Sequence, residues 1–201
     1  NKITPRLALK HPKWKMGKKI SIDSATLMNK ILELIEAKKL FNLPIDMLEI
    51  LIHPESLVHA IIKLKNGIIK FIYHETSMIV PLANAIFDED LTIRDFLKIK
   101  KKQIFNNLSF NNVDSKIFPI IKVKNRLFEY PATPIILNAA NEILVDQFLR
   151  KKIPFLSISK NIMTILNNRN YKKYAIREPK NLKDIFEIDQ WAKNTTLKSL
   201  N

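Results

Sequence analysis

The sequence contains no cysteine, only two glycines and no long uninterrupted apolar run. Without cysteine the chain has no disulfide, no thiolate metal ligand and no cysteine nucleophile, so catalysis would have to use histidine, carboxylate, lysine, hydroxyl groups or a metal. No apolar stretch approaches the ~18 residues of a membrane-spanning helix. The beginning at Asn1 has neither an initiator methionine nor a signal-type apolar segment. We expect no membrane association, a cytoplasmic location and a truncated or processed N-terminus.

Basic residues far outnumber acidic ones, since 34 Lys and Arg against 19 Asp and Glu give a formal net charge of +15. A charge of this size would attract nucleic acid, an anionic membrane surface or phosphorylated small molecules. Composition does not choose among these. The abundance of Lys, Asn and Ile, all encoded by AT-rich codons, also fits a genomic bias. The length of 201 residues suits one medium-sized domain or two small ones.

The first part of the chain, residues 1–87, is predicted to be an α+β domain. Residues 1–19 contain prolines, many charges and no clean apolar period, which predicts a loop. From residue 24 to residue 41 apolar side chains recur at helical spacing, after Asp23 or Ser24 as a plausible N-cap. We therefore expect one amphipathic helix after the loop.

The same domain is predicted to contain a small sheet. A short apolar run at residues 47–52 is typical of a strand, and residues 56–73 carry a hairpin signature around Asn66 and Gly67. Residues 81–87 fit a short helix.

The second part of the chain, residues 114–201, is predicted to be a separate helical bundle. Residues 88–113 are rich in Lys and Asn with weak periodicity, which favours a linker. Helical patterns then follow near residues 118–130, 134–151, 156–168 and 182–200. The fold class expected from the sequence is thus α+β with a C-terminal helical bundle.

The helix beginning at Ser24 carries the clearest candidate chemistry. A step of 100° per residue places five polar side chains in one sector opposite the apolar stripe: Thr26, Asn29, Lys30, Glu33 and Glu36. Because free N–H groups and the helix dipole favour an anion at a helix N-terminus, Ser24, Asn29 and Lys30 are candidate phosphate ligands. Glu33 could then reach a metal ion. Such a stripe is also what an ordinary solvated helix face shows.

Histidines and a tryptophan add further candidates. His53 and His59 flank Ser56 where a strand ends, and either could carry a proton near neutral pH, although a hydrogen-bonded structural role is the commoner one for a lone histidine. His11, Trp14 and Met16 lie in the loop with Gly17, as in a lid that would exclude water from a ligand. Surface packing is the alternative for the tryptophan.

Four segments in register resemble one enzyme family. They are residues 11–30 (HPKWKMGKKISIDSATLMNK), 33–37 (ELIEA), 52–59 (IHPESLVH) and 137–142 (LNAANE). In this order they are similar to the lid, the phosphate-binding helix and later motifs of the 1-deoxy-D-xylulose 5-phosphate reductoisomerase family. The resemblance spans nearly the whole chain and is strongest from His11 to His59.

The resemblance implies an NADP-dependent oxidoreductase that isomerises and reduces 1-deoxy-D-xylulose 5-phosphate to 2-C-methyl-D-erythritol 4-phosphate in isoprenoid biosynthesis. It implies NADPH and a divalent ion (Mn²⁺, Mg²⁺ or Co²⁺), a phosphorylated sugar substrate, a homodimer, no nucleic acid partner, and a plastid-type organelle if the source is eukaryotic. The implied catalytic residues are His11, Glu33 and His59. The implied substrate-binding residues are His11, Trp14, Ser24, Asn29, Lys30, Glu33, Ser56 and Met78. Met16 and Gly17 would contact the cofactor, and Glu33 would bind the metal.

The chain also departs from the family pattern. The N-terminal NADPH-binding domain, an Asp-Ser-Glu motif with further metal carboxylates and a glycine-rich substrate loop are absent. Ile31 replaces a family glycine, and only Met78 remains of a Gly-x-Pro-Asp-Met-Arg stretch. We therefore expect this chain to be inactive by itself. A degenerate member of the family and a basic nucleic-acid-binding module remain the alternatives.

Overall fold

A computed structural model of the chain describes residues 3–10, 16–74, 76–87, 92 and 107–200. The described residues form two compact units. The helical unit contains those up to Ile50 and from Val113 onward, and the hairpin unit contains those between Leu51 and Asn112. No helix of the described residues is long and apolar enough to cross a membrane.

The helices and strands follow one another as α1 (Pro5–Ala8), α2 (Lys18–Thr26), α3 (Met28–Phe41), β1 (Leu51–Ile52), β2 (Val58–Lys63), β3 (Ile69–Tyr73), α4 (Ile79–Ile86), β4 (Asn111–Asn112), α5 (Thr133–Leu149), α6 (Ser157–Leu166), α7 (Tyr171–Ala175) and α8 (Leu182–Lys198). Two 3-10 helices, Ile45–Met47 and Pro119–Arg126, complete the described elements. The prediction of an α+β fold with a helical C-terminal part is confirmed.

Helix α5 forms the centre of the helical unit. Its buried side chains lie on several sides of the helix, including Ile136, Leu144 and Phe148, so it is enclosed by its neighbours. It packs against α8, α6 and α2, while α3 packs against the second 3-10 helix. At the start of α8 the Asn181 side chain accepts a hydrogen bond from the backbone N–H of Asp184 at 3.0 Å, which caps the helix.

The hairpin unit contains two antiparallel pairs, β2 with β3 and β1 with β4. The predicted hairpin is present: the loop at residues 65–67 is closed by a hydrogen bond from the Leu64 N–H to the Ile68 carbonyl, 2.9 Å. Gly67 has φ +88°, in the left-handed region that glycine adopts without steric cost. The predicted strand at residues 47–52 is shorter than expected: a 3-10 helix ends at Met47, and only Leu51–Ile52 pair with β4.

The structure corrects the predicted single helix after Ser24. Helix α2 already begins at Lys18, and a left-handed residue, Leu27 with φ +68°, separates it from α3. The predicted loop at residues 1–19 therefore contains α1 and the beginning of α2. Helical spacing continues through a one-residue break, so periodicity alone does not reveal it.

The two compact units also differ from the predicted domains 1–87, 88–113 and 114–201. Residues 16–50 belong with the helical bundle, because Ile22, Met28 and Ile31 are completely buried in its core. Of the predicted linker only residues 92 and 107–113 are described, and Asn111–Asn112 pair with β1. Burial of the α2–α3 apolar face therefore places residues 16–50 in the helical unit, while the second boundary, between Asn112 and Val113, lies where the predicted linker ends.

Candidate functional site

The break between α2 and α3 is held by hydrogen bonds as well as by burial. The Thr26 hydroxyl donates to the backbone carbonyls of Ile22 and Asp23 at 3.0 and 3.2 Å, and its oxygen accepts the Met28 N–H at 3.3 Å. Leu27 itself is only 7% exposed. A bulky residue with positive φ costs roughly 1–2 kcal/mol, so these contacts retain a strained backbone at the junction.

Three polar side chains meet in the first two turns of α3. The Glu33 carboxylate accepts a hydrogen bond from Asn29 Nδ2 at 2.6 Å through one oxygen and from Lys30 Nζ at 2.7 Å through the other. The side chains of Lys30 and Glu33 are 42% and 43% exposed. A half-exposed pair at this spacing contributes only about 0.3–0.5 kcal/mol, so an incoming ligand can displace it at little cost.

Ser24 was predicted to lie at a helix N-terminus, and the structure shows that it does not. It lies in the last turns of α2, half-buried, and its carbonyl accepts the Leu27 N–H at 3.1 Å. Helix α3 begins at Met28, so Asn29 and Lys30 occupy its first turn, where an anion is favoured. Of the three predicted phosphate ligands, Asn29 and Lys30 therefore lie at a helix N-terminus, whereas Ser24 belongs to the preceding helix, α2.

Glu33 is suited to contribute one oxygen to a divalent cation, which prefers hard ligands. Among the residues that the structure describes, no three His, Asp or Glu side chains group closely enough to hold a metal ion by themselves. The role of Glu33 as a metal ligand therefore remains a prediction.

The lid residues are only partly described. His11 and Trp14 lie outside the described residues, whereas Met16 and Gly17 directly precede α2. The carbonyl of Gly17 accepts hydrogen bonds from the backbone N–H and the hydroxyl of Ser21, at 3.1 and 2.9 Å. A Cβ added at Gly17 would meet nothing within 4 Å, so no described part of the chain requires glycine there.

Ser56, His59 and Met78 are in the hairpin unit. Ser56 adopts a positive φ of 58° in the turn after Pro54, and Met78 is exposed immediately before α4. His59 lies on β2, where its ring stacks on His74 with centroids 3.7 Å apart and its Nε2 lies 3.2 Å from the His74 carbonyl oxygen. These contacts orient the His59 ring, and its proposed catalytic role remains a prediction.

His53 has a different environment from His59. Its Nδ1 lies 2.9 Å from the Ser109 carbonyl oxygen and 3.0 Å from Glu55 Oε2, and its ring stacks on Phe110. Hydrogen bonds from the Ser109 hydroxyl and backbone N–H, together with the nearby imidazole, lower the pKa of Glu55. These contacts connect two distant segments, which favours a structural role for His53.

Sequence reasoning missed one buried polar link. The Asp23 carboxylate, 2% exposed, accepts a hydrogen bond from Asn141 Nδ2 on α5 at 2.7 Å and forms an ion pair with Lys19 at 2.7 Å. The only available signal was indirect, because Asn141 lies within the motif at residues 137–142 and Asp23 directly precedes Ser24.

Comparison with known proteins assigns the chain to a family. Residues 74–195 match the DXP reductoisomerase C-terminal domain, and residues 1–41 match the 1-deoxy-D-xylulose 5-phosphate reductoisomerase C-terminal domain. The 1-deoxy-D-xylulose 5-phosphate reductoisomerase of Pelagibacter ubique is 44% identical over 195 residues, which cover 94% of this chain and 49% of that relative.

Solved structures agree with this assignment. A 1-deoxy-D-xylulose 5-phosphate reductoisomerase from Zymomonas mobilis in complex with NADPH has a TM-score of 0.79 and 34% identity, covering 99% of this chain and 50% of that chain. A DOX-P reductoisomerase in complex with NADPH, fosmidomycin and magnesium has a TM-score of 0.83 and 30% identity, covering 98% of this chain and 50% of that one.

The matches extend along nearly the whole chain, which spans about half the length of the relatives it matches. They do not favour the alternative of a basic nucleic-acid-binding module. The chain belongs to the 1-deoxy-D-xylulose 5-phosphate reductoisomerase family, as the resemblance of its motifs predicted.

Proposed function

We propose that this chain supplies the phosphate-binding helix, one metal ligand and the C-terminal helical part of a reductoisomerase. The whole enzyme would convert 1-deoxy-D-xylulose 5-phosphate to 2-C-methyl-D-erythritol 4-phosphate with NADPH and Mg²⁺, Mn²⁺ or Co²⁺. The observation that carries this proposal is the half-exposed cluster of Asn29, Lys30 and Glu33 at the beginning of α3, in a chain of this family.

The cluster suits a substrate that carries both a phosphate and metal-chelating oxygens. Lys30 and the N-terminus of α3 favour the phosphate charge, and Asn29 donates an amide N–H. When these groups turn to the phosphate, they release the Glu33 carboxylate, which is then free to bind a metal ion. The metal, when bound, supplies Lewis-acid polarisation of the substrate carbonyl. Phosphate binding and metal ligation would therefore assist each other.

The remaining site residues keep their proposed roles. His11 and Trp14 would close over the substrate and exclude water, and Ser24 and Ser56 would donate hydroxyl groups to the phosphate. Met78 would line the substrate pocket. Met16 and Gly17 would contact NADPH, and no atom of the described residues lies within 4 Å of a Cβ built at Gly17.

A homodimer is the proposed assembly. The hairpin exposes apolar side chains on both faces: Ile69 and Phe71 are 50% and 49% exposed on one face, and Ile62 and Ile72 are 42% and 45% exposed on the other. Because an isolated two-stranded hairpin is marginally stable in water, this surface needs a partner. The full-length protein should sediment as a dimer, and Phe71→Asp should shift it to monomer while Lys65→Asp in the loop does not.

We propose a cytoplasmic location, or a plastid-type organelle in a eukaryote. The absence of cysteine suits a reducing compartment, and the relatives are bacterial.

The function is tested by NADPH oxidation in the full-length protein, with 1-deoxy-D-xylulose 5-phosphate and Mg²⁺. Lys30→Ala should raise the substrate KM about 10- to 150-fold, the equivalent of a charge-assisted hydrogen bond of ~1.5–3 kcal/mol. Lys39→Ala, an exposed lysine near the end of the same helix, is the matched control and should leave KM unchanged. Equal KM values for both variants would exclude the phosphate role of Lys30, and no turnover by the wild type would exclude the enzyme assignment.

A further inference from the structure

The link between Asp23 and Asn141 joins the helical bundle to the candidate phosphate site. Asn141 is completely buried on α5, 118 positions from Asp23 in the sequence, and donates to Asp23 Oδ1 at 2.7 Å. Because a carboxylate only accepts hydrogen bonds, the amide nitrogen of Asn141 must face it, so the orientation of this side chain is determined. The second oxygen of Asp23 accepts Lys19 Nζ at 2.7 Å.

The Asn141 amide is not an ordinary core side chain. Its Oδ1 is buried and has no hydrogen-bond partner among the residues that the structure describes. A buried amide with an unpaired oxygen costs free energy, which an apolar side chain at this position of α5 would avoid. Within the described structure, the polar atoms of Asn141 make a hydrogen bond to Asp23. The role of Asn141 is therefore to hold the Asp23 carboxylate.

From Asp23 a chain of hydrogen bonds reaches the first residue of α3. The backbone carbonyl of Asp23 accepts the Thr26 hydroxyl at 3.2 Å, and the Thr26 oxygen accepts the Met28 N–H at 3.3 Å. Between them lies the strained Leu27, whose conformation determines the direction in which α3 begins. Asp23 therefore connects the α2–α3 junction, through Thr26, to α5 of the helical bundle, through Asn141.

We propose that Asn141 is a positioning residue for the phosphate subsite, holding Asp23 so that the α2–α3 junction presents Ser24, Asn29 and Lys30 to a phosphate group. This inference rests on the proposed function of that cluster and adds a residue from another part of the chain. The helical bundle would thereby contribute to substrate binding, because Asn141 on α5 holds Asp23 by a hydrogen bond. Asn141 itself does not touch the ligand.

The test uses the full-length protein and inorganic phosphate as the probe, with binding measured by titration calorimetry independently of turnover. Asn141→Ala should weaken phosphate binding about tenfold, the scale found when a residue that orients a ligand-binding group is removed. The substrate KM should rise by a similar factor, while kcat and the KM for NADPH stay within about twofold. Should Asn141→Ala fold poorly, Asn141→Ser retains a shorter donor and should give a smaller loss of phosphate affinity in the same direction.

Thr133→Val is the matched control. Thr133 is also completely buried on α5, and its hydroxyl forms a 2.7 Å hydrogen bond with the Tyr171 hydroxyl, so its removal weakens the bundle without touching Asp23. Thr133 and Asn141 are eight positions apart, which separates them by about 12 Å along the helix. Thr133→Val should leave phosphate affinity unchanged. An equal loss in this control would assign the effect to general destabilisation and overturn the inference.

Asp23→Asn supplies the conservative rescue. Its amide can donate to Asn141 Oδ1 after that side chain flips, and its own oxygen still accepts from Lys19, so phosphate affinity should stay within about twofold of the wild type. A loss as large as that of Asn141→Ala would contradict positioning through the hydrogen bond. Unchanged phosphate affinity in Asn141→Ala, in a protein that does turn over, would overturn the inference and leave the proposed function intact. If the wild-type protein binds phosphate but shows no turnover, weaker phosphate binding by Asn141→Ala would still support the positioning role, while the enzyme assignment would be wrong.

Discussion

Glu33→Gln separates a metal ligand from an ordinary helix surface residue. In the structure the carboxylate is paired with Lys30 Nζ at 2.7 Å and Asn29 Nδ2 at 2.6 Å, and its side chain is 43% exposed. Glutamine has the same shape as glutamate and retains one oxygen that can accept the hydrogen bond from Asn29, but it cannot form the ion pair with Lys30. An exposed pair at this spacing contributes about 0.3–0.5 kcal/mol, so the free energy of unfolding should fall by no more than ~0.5 kcal/mol.

The effect on catalysis should be much larger than the effect on stability. Replacing residues that only support metal ligands typically costs 10- to 100-fold in metal affinity or activity, so losing a ligand should reduce turnover at least ~100-fold at limiting Mg²⁺. The assay is NADPH oxidation by the full-length protein across a Mg²⁺ titration, with thermal unfolding measured in parallel. A fall of more than ~2 °C in Tm would exceed the shift expected for a loss of ~0.5 kcal/mol, since 1 kcal/mol shifts the Tm of a domain of about 150–250 residues by about 2–4 °C.

Glu36→Gln is the matched control, because Glu36 is an exposed carboxylate one turn further along α3. It should leave both the Mg²⁺ dependence and the turnover unchanged. Near-normal activity of Glu33→Gln at limiting Mg²⁺, or equal losses in the two variants, would refute the reasoning that gives Glu33 a metal-binding role.

Three further outcomes are expected. Gly17→Ala should leave the free energy of unfolding unchanged, since an added Cβ meets no atom of the described residues within 4 Å, but should raise the KM for NADPH; an unchanged KM would remove Gly17 from the cofactor site. Leu27→Gly should be less destabilising than Leu27→Ala in urea unfolding, because both lose nearly all of the leucine side chain and only glycine relieves about 1 kcal/mol of strain at φ +68°; the reverse order would contradict the strained junction. Ser109→Ala should raise the lowered pKa of Glu55 toward its ordinary value in an NMR titration. Because that pKa is lowered on folding, the ionised Glu55 stabilises the protein at pH values above its unfolded-state pKa. This stabilisation is lost as the pH falls through the folded-state pKa, and Ser109→Ala should lose less stability over that acidic range than the wild type.

The sequence by itself determined the elements whose cause is local. Helix α3 follows from an apolar period, the hairpin from Asn66 and Gly67 between two apolar runs, and α5 from a long apolar segment beginning near Pro134. The cluster of Asn29, Lys30 and Glu33 was likewise predicted, because residues three and four apart on a helix are neighbours whatever the rest of the fold does.

Only the tertiary structure decided where the helices break and which segments pack together. A leucine in the left-handed region has no local signal, and Leu27 keeps this conformation because its side chain is buried and Thr26 bonds both sides of the junction. The Asp23–Asn141 bond joins residues 118 positions apart, and no periodicity within either helix encodes such a pair. Long-range burial of the α2–α3 apolar face therefore places residues 16–50 in the helical unit, together with the cluster of Asn29, Lys30 and Glu33.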